Sequence, residues 1–181
     1  QGVAIHGGVG TLAPEALTPE LDTAYRAVLI ESLDAGNKAL GSGGSALDAV
    51  VEAVRMLEDS PLYNAGRGSN FDERGIITMD ASIMDGETLR AGAVAGVTTV
   101  RNPVELARLV MDRSEHVMLI SAGADAFAKS QGLDCTDPSF FHSERRWEEL
   151  QEARAKTDAR PNVLGSVAGD PNATPADPTT K

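Results

Sequence analysis

The sequence IITMDASIMDGETLRAGAVAGVTTV, residues 76–100, contains two runs that favour β-strands and a turn between them. The first run extends from Ile76 to Met84 and the second from Leu89 to Val100. Asp85-Gly86-Glu87-Thr88 lies between the runs, and residues of these types are typical of a hairpin turn. The stretch therefore predicts a β-hairpin.

Further elements are predicted after the hairpin. Arg101-Asn102-Pro103 predicts the start of a helix, because proline suits the first helical position. Val117 to Ile120 then favours a short strand, and Ala122 to Gln131 favours a short helix that ends at Gly132.

The last predicted helix begins near Ser143. The apolar residues expected to face inward are Trp147, Leu150 and Ala153. The charged residues expected to face water are Glu144, Arg145, Arg146, Glu148 and Glu149. Four of the nine prolines lie in residues 157–181, so this segment has the composition of a flexible linker and residues 1–156 that of a folded unit.

A strand and a helix are predicted at the other end of the chain. Val3 to His6 is a short apolar run that predicts a buried strand entering the glycine cluster Gly7-Gly8-Val9-Gly10. Thr18-Pro19 predicts an N-cap followed by proline at the first helical position, and this helix should end near Gly41.

A second helix and a long loop lie between that helix and the hairpin. Ser45 and Asp48 have the spacing of a capping box, which predicts the start of the second helix. Its expected buried face consists of Leu47, Val50, Val51, Val54 and Leu57, with Glu52 and Arg55 outside. Residues 60–71, SPLYNAGRGSNF, have no clear period and predict a structured loop, and loops of this length usually have a function.

The predicted order of elements belongs to a mixed α/β (α+β) class. About four strands carry helices on one side, and this arrangement leaves the other face of the sheet uncovered. We therefore expect something outside these elements to cover that face.

Charge and composition limit the classes of partner. The chain has 27 acidic and 16 basic residues and a net charge of −11, so its surface repels nucleic acid and anionic membranes. No segment has the roughly 20 consecutive apolar residues of a membrane span, and residues 1–20 do not resemble a signal peptide. These features predict a cytoplasmic protein, with export of a trimmed precursor left open.

The usual catalytic patterns are scarce. Gly8 to Ala13 fits a dinucleotide-binding pattern, but Pro14 keeps the segment irregular where that pattern needs a helix. Cys135 has no neighbouring base or cation that would activate it. The three histidines, His6, His116 and His142, lack the spacing of a metal site or a triad. We expect Asp80 and Asp85 to make turn and side-chain hydrogen bonds.

Five motifs carry a family resemblance: HGGVG at 6–10, SALDAVVEAVRMLEDSPLYNAGRGS at 45–69, MDASIMDG at 79–86, AGAVAGV at 91–97 and NPVELARLVM at 102–111. Together they resemble the α subunit of plant-type (type III) L-asparaginases, also called isoaspartyl peptidases. The resemblance implies an N-terminal-nucleophile (Ntn) hydrolase, an αββα sandwich completed by a separate β chain. The α-chain half would be residues 1–156, and Lys181 would lie at or near the site of self-cleavage.

The resemblance also implies an activity. The enzyme would hydrolyse L-asparagine and β-aspartyl dipeptides to L-aspartate, with a nucleophilic threonine at the start of the β chain and two αβ units forming a dimer of heterodimers. No organic cofactor is expected. Two alternatives stay open: a taspase-like threonine endopeptidase subunit, and a non-catalytic nucleotide- or ligand-binding α/β domain.

Some residues take roles from the resemblance alone. Gly8 and Asn64 would support the catalytic threonine of the β chain, although a tight turn at Gly8 and a local loop bond at Asn64 are alternatives. A structural sodium ion would be bound by main-chain oxygens of Leu57, Glu58, Ser60, Tyr63, Ala65 and Arg67. Carbonyl oxygens suit a hard cation and leave the side chains free to vary.

Overall fold

The computed structural model describes residues 2–8 and 17–158. Its helices are α1 (Pro19–Gly41), α2 (Ala46–Asp59), α3 (Pro103–Arg113), α4 (Ser121–Ser130) and α5 (Glu144–Asp158). Its strands are β1 (Met79–Met84), β2 (Ala91–Val97) and β3 (Met118–Ile120). The mixed α/β class is therefore confirmed. Two predicted segments lie outside the described residues. They are residues 9–16, which include the end of the glycine cluster, and the part of the predicted linker from residue 159 onward.

The hairpin is present where the sequence predicts it. Strands β1 and β2 are antiparallel, with Met84 opposite Ala91, and β3 adds to β2 in parallel. Thr88 Oγ1 donates to the Asp85 carboxylate at 2.6 Å, and the Glu87 amide donates to it at 3.1 Å. These hydrogen bonds lower the pKa of Asp85, with that from Thr88 the largest cause. Asp85 thus closes the turn, as predicted.

One face of the sheet packs on helices α3 and α4. Val94 of β2 and Leu106 of α3 are among the fully buried side chains of this core. Gly92 allows the close approach of α3, because an added Cβ there would overlap the carbonyl oxygen of Ala107. The helix therefore lies directly against the strand backbone.

Helices α1 and α2 pack against each other, and each begins where the sequence predicts. Thr18 accepts the Leu21 amide at 3.2 Å. Ser45 and Asp48 form the reciprocal capping box, with distances of 2.8 and 3.1 Å. Between the helices, the buried hydroxyl of Ser32 donates to the carbonyl of Ala53 at 2.7 Å. None of the described helices is both long enough and apolar enough to span a membrane.

The predicted buried face of α2 is only partly correct. Ala49, Ala53 and Glu58 are its buried residues, whereas Val50 is exposed and Leu47, Val51, Val54 and Leu57 are half-buried. The reason is the close approach of α1, in which Gly36 faces the Ala49 carbonyl. Only small side chains fit at such a contact. The predicted outward residues Glu52 and Arg55 are half-buried.

The prediction of a strand at Val3 to His6 is wrong for the described structure. Residues 2–8 contain no strand, and the part of the chain that the structure describes has three strands instead of about four. A strand requires a hydrogen-bonded neighbour, and none of the three described strands pairs with this segment. The residues lie against α2, where Val3 and Ile5 line a groove with Val54.

The orientation of α5 also differs from the prediction. Leu150 is buried and Trp147 half-buried, as the inward face requires, but Ala153 is exposed. Arg145 and Arg146 do not face water alone, because both donate hydrogen bonds to carbonyls of residues 60–71. The sequence pattern of α5 could not reveal these distant acceptors.

Candidate functional site

Residues 60–71, here called the Asn64 loop, form the structured loop that the sequence predicts. A short 3-10 turn, Gly66–Gly68, lies at its centre. Gly66 has a φ of +50°, and a Cβ there would overlap the carbonyl of Glu58. A Cβ at Gly68 would overlap the carbonyl of Tyr63. The two glycines therefore permit a turn that no larger residue could make.

Asn64 closes this loop through its side chain. The residue is exposed, and its Oδ1 accepts the backbone amide of Asn70 at 3.0 Å. The bond joins two residues six positions apart across the 3-10 turn. The local loop bond considered from the sequence is thus present.

A polar cleft of about 170 Å³ lies beside the loop. Its lining consists of Glu58, Asn64, Ala65, Gly66, Ser69, Thr78, Met79 and Asp80. Asp80 is held by the backbone amide of Gly96, which donates to it at 2.8 Å. The expectation that Asp80 has a hydrogen-bonding role is confirmed. The cleft therefore joins the Asn64 loop to the start of β1.

The side chain of Glu58 belongs to this site, although the sequence analysis assigned a role only to the main-chain oxygen of this residue. Glu58 is 3% exposed, and its Oε1 accepts the Val104 amide in the first turn of α3 at 2.9 Å. Its Oε2 has no hydrogen-bond partner among the described residues. Burial raises the pKa of Glu58 to about 8, although the bond from Val104 acts in the opposite direction. The carboxyl group is therefore largely protonated at neutral pH.

No sequence signal pointed to Glu58. Asn102 precedes the first helical residue of α3, and asparagine is a favoured N-cap residue, so the sequence alone suggests that Asn102 caps the helix. In the structure Asn102 makes no side-chain cap, and the first amides of the helix need another acceptor. Glu58 supplies it from the last turn of α2.

Gly8 and its neighbours lie close to the Asn64 loop. Gly8 has a φ of +94°, in the region that favours glycine, which agrees with the tight turn considered from the sequence. His6 Nδ1 accepts the Gly8 amide at 3.0 Å. A Cβ added to Gly7 would lie 3.0 Å from Cε1 of Tyr63, so this segment packs on the loop. The structure thus brings together two segments that the sequence places more than 50 residues apart.

The residues predicted to bind sodium lie in and around the same loop. Glu58 and Ala65 line the polar cleft, and Ser60 and Tyr63 are buried. The Leu57 carbonyl accepts the Ser60 amide at 3.3 Å, and the Ala65 carbonyl accepts the Gly68 amide at 3.0 Å. Each carbonyl oxygen has a second lone pair, so these bonds are compatible with cation binding.

Arg67, the sixth predicted ligand, extends its guanidinium over the ring of Phe140, 5.7 Å from the ring centroid. The Arg67 side chain therefore contacts Phe140, whereas the prediction for sodium concerns only the main-chain oxygen of Arg67. Within the described ranges, no three histidine, cysteine, aspartate or glutamate side chains are grouped to hold a metal ion. A main-chain oxygen site does not require such a group.

The remaining candidates have local roles. Burial raises the pKa of the Cys135 thiol, which disfavours a reactive thiolate. His142 packs on Phe71 with ring centroids 5.3 Å apart. The amide of His116 is bonded to Ser114. These contacts hold loops in place.

Comparisons with known proteins bear on this site. The sequence model of the family described as asparaginase matches residues 1–180. The chain is 46% identical over 179 residues to an isoaspartyl peptidase of Salmonella typhimurium. The matched region covers 99% of this chain and 55% of that protein. It is 44% identical to a plant-type L-asparaginase of Pyrococcus abyssi, with 92% of this chain and 57% of that protein covered.

A vertebrate relative has a similar identity and coverage. The chain is 41% identical to an isoaspartyl peptidase/L-asparaginase of Xenopus laevis, over 91% of this chain and 53% of that protein. The chain therefore spans about half the length of the curated relatives it matches. The chain therefore belongs to the class of Ntn hydrolases. Within this class it is a member of the asparaginase family, as its motifs predict.

Proposed function

We propose that this chain is the α subunit of an autoprocessed threonine Ntn hydrolase that converts L-asparagine and β-aspartyl dipeptides to L-aspartate. The observation that carries the proposal is the match at 46% identity, over nearly the whole chain, to a protein named isoaspartyl peptidase. Relatives named plant-type L-asparaginase match at similar identity, which supports both substrates.

The proposed reaction is acyl transfer to a threonine at the start of the β chain. The threonine hydroxyl attacks the side-chain carbonyl of the substrate and loses its proton to the α-amine of the same residue, whose pKa lies near 8. The C–N bond breaks, and ammonia or an amino acid leaves with that proton. Water then hydrolyses the ester and releases aspartate. In this scheme Asn64 and the backbone at Gly8 position the threonine.

The uncovered face of the sheet supports a second chain as partner. On that face, Ser82 lies beside Ala93, and Ala93 lies beside Met118. Met118 and Ile120 of β3 are 50% and 61% exposed, whereas Ile83 and Val94 on the other face are buried. We propose that a β subunit from the same precursor covers this surface and forms the second sheet of the αββα sandwich. Two such αβ units would form the dimer of heterodimers.

A sodium ion in the Asn64 loop is a further part of the proposal. It would be bound by the main-chain oxygens of the six residues predicted from the sequence. The proximity of the Glu58 and Tyr63 carbonyls to the 3-10 turn supports this set, since carbonyl oxygens are ligands of hard cations. The ion would hold the loop in shape. We expect the protein to have a higher thermal midpoint in sodium chloride than in choline chloride of equal ionic strength. Equal midpoints would contradict the proposed sodium site.

The experiment that tests the function begins with the complete protein. Mass spectrometry should detect a second chain that begins with threonine. The purified enzyme should release aspartate from asparagine and from β-aspartyl dipeptides, and a variant that lacks the threonine hydroxyl should release none. If no threonine-initiated chain forms and neither substrate is cleaved, the proposal is wrong. Cleavage of protein substrates alone would favour the taspase-like alternative.

A further inference from the structure

Helix α5 donates two arginine side chains to the Asn64 loop. Arg145 Nη2 donates to the carbonyls of Pro61 and Leu62 at 2.9 and 3.2 Å. Arg146 Nε donates to the carbonyl of Gly68 at 2.8 Å. The bonds join residues about 80 positions apart in the chain. The beginning and the centre of the Asn64 loop are thus attached to one helix.

Arg146 is the better fixed of the two arginines. Its side chain is 12% exposed, compared with 39% for Arg145. Glu149, one turn further along α5, accepts hydrogen bonds from both guanidinium groups, at 3.2 Å from Arg145 and 2.8 Å from Arg146. A hydrogen bond from a charged donor in a shielded position is stronger than a neutral one. The bond to Gly68 is therefore the main polar contact of α5 with the centre of the loop.

Aromatic packing holds the end of the loop against the same helix. Phe71 lies edge-on to Trp147, with ring centroids 5.2 Å apart. Arg154 donates to the carbonyl of Glu73, just beyond the loop. Helix α5 thus contacts the loop at its beginning, at its centre and at its end.

Helix α1 holds the loop from another direction. Tyr25 donates to the carbonyl of Leu62 at 3.1 Å, and Tyr63 donates to the carbonyl of Tyr25 at 2.8 Å. The Leu62 carbonyl therefore accepts from α1 and from α5 together. The loop is bound between two helices.

Gly68 lies inside the ring that Asn64 closes. The side chain of Asn64 bonds to the amide of Asn70, and the amide of Gly68 bonds to the carbonyl of Ala65. Arg146 binds the carbonyl of this same glycine. Movement of Gly68 would therefore change the separation of Asn64 from Asn70.

We propose that Arg146, oriented by Glu149, is a positioning residue for Asn64 and thereby for the catalytic threonine. The proposal rests on the proposed function, since the role of Asn64 presupposes a catalytic threonine at the start of the β chain. Arg146 touches neither substrate nor nucleophile in this account. It acts through Gly68 and the Asn64 to Asn70 hydrogen bond.

The test compares Arg146→Gln with Arg113→Gln in the complete enzyme. Arg113 is an exposed arginine at the end of α3 that donates to Gln131, so its substitution removes the same charge without touching the Asn64 loop. Arg146→Gln should raise the hydrogen-exchange rate of the Asn70 amide about tenfold and lower kcat for a β-aspartyl dipeptide about tenfold, with KM within about twofold. Arg113→Gln should change none of these values. Arg146→Lys, which keeps the charge, should restore part of kcat.

A second variant keeps the proposal testable if Arg146→Gln does not fold. Glu149→Gln removes only the orienting carboxylate, and it should change Asn70 exchange and kcat in the same direction by a smaller factor. A lower kcat without faster Asn70 exchange, or faster exchange with an unchanged kcat, would overturn the positioning role.

The exchange measurement separates this inference from the proposed function. If the unsubstituted protein hydrolyses neither substrate, the proposed function fails. Unchanged Asn70 exchange in Arg146→Gln would overturn the positioning role even in an active enzyme.

Discussion

The hairpin with α3 and the Asn64 loop are held in place by contacts of different kinds. Around the hairpin, buried aliphatic residues such as Val94 and Leu106 belong to one hydrophobic core. In the loop, backbone carbonyls accept hydrogen bonds from Arg146 and Tyr25 on distant helices. Apolar packing tolerates change if volume is kept, whereas a directed polar bond depends on one donor. The first region should therefore govern stability, and the second should govern function.

The largest effect is expected at Gly92, where the apolar region has no room. In Gly92→Val, the new side chain would overlap the backbone of α3 at Ala107 and separate the helix from β2. The free energy of unfolding should fall by about 3 kcal/mol or more, or the protein should fail to fold. Chemical denaturation followed by circular dichroism measures this. Gly86→Ala, where an added Cβ has open space, should have little effect, and equal losses in both variants would contradict the close-packing account.

Glu58 lies between the two regions and should make stability depend on pH. Its pKa is raised from 4.5 in the unfolded chain to about 8 in the folded protein, so the folded state binds the proton more tightly. The resulting stabilisation is complete below pH 4.5 and is lost as pH rises through about 8.

The corresponding variant is Glu58→Gln, which cannot ionise. At constant sodium concentration, the thermal midpoint of the unsubstituted protein should fall more steeply from pH 5 to 8.5 than that of Glu58→Gln. The difference in unfolding free energy should reach about 1 to 4 kcal/mol, at roughly 1.4 kcal/mol per pKa unit. Parallel pH profiles would show that Glu58 does not titrate in this range.

Gly8→Val tests whether the turn at Gly8, which lies near the Asn64 loop, matters for function. A β-branched residue at a φ of +94° is strained by about 1 to 3 kcal/mol, so the proposed self-cleavage of the precursor should slow by about tenfold or more. Gel electrophoresis of the processed chains measures the rate. Gly2→Val, which meets open space and has no positive φ, is the control. Efficient processing of Gly8→Val would argue against a sensitive role for this turn.

The smallest effect is expected for Asn64→Ala. Loss of the bond to the Asn70 amide should loosen the loop. On the proposed role of Asn64 as an orienting contact of the nucleophile, kcat for a β-aspartyl dipeptide should fall about tenfold. The thermal midpoint should change little. Asn70→Ala keeps the backbone donor and should retain activity. An unchanged rate in Asn64→Ala would remove this residue from the account of the active site.

The elements that could be predicted from sequence are those fixed by near neighbours. Thr18 caps α1, Ser45 and Asp48 cap α2, and Asp85 closes the hairpin, each through bonds within four residues. The family followed from motifs and is confirmed by the comparisons. The catalytic support by Asn64 and Gly8 and the sodium site remain predictions.

The errors concern residues whose environment comes from elsewhere in the chain. The segment Val3 to His6 has the composition of a strand but pairs with none of the described strands. Val50 was expected inside, yet the close contact of α1 with α2 admits only small residues such as Ala49. Arg146 was expected in water, yet its acceptor is 78 positions away.

The sequence by itself determined the helix starts, the hairpin turn and the family, because capping and turn formation are local and the motifs are contiguous. Only the tertiary structure decided that Glu58 caps α3, that α1 and α5 hold the Asn64 loop, and which residues lie on the sheet face that the order of elements predicted to be uncovered. The physical reason is that burial and long-range hydrogen bonds depend on which segments meet in space. The spacing of residues along one segment does not contain that information.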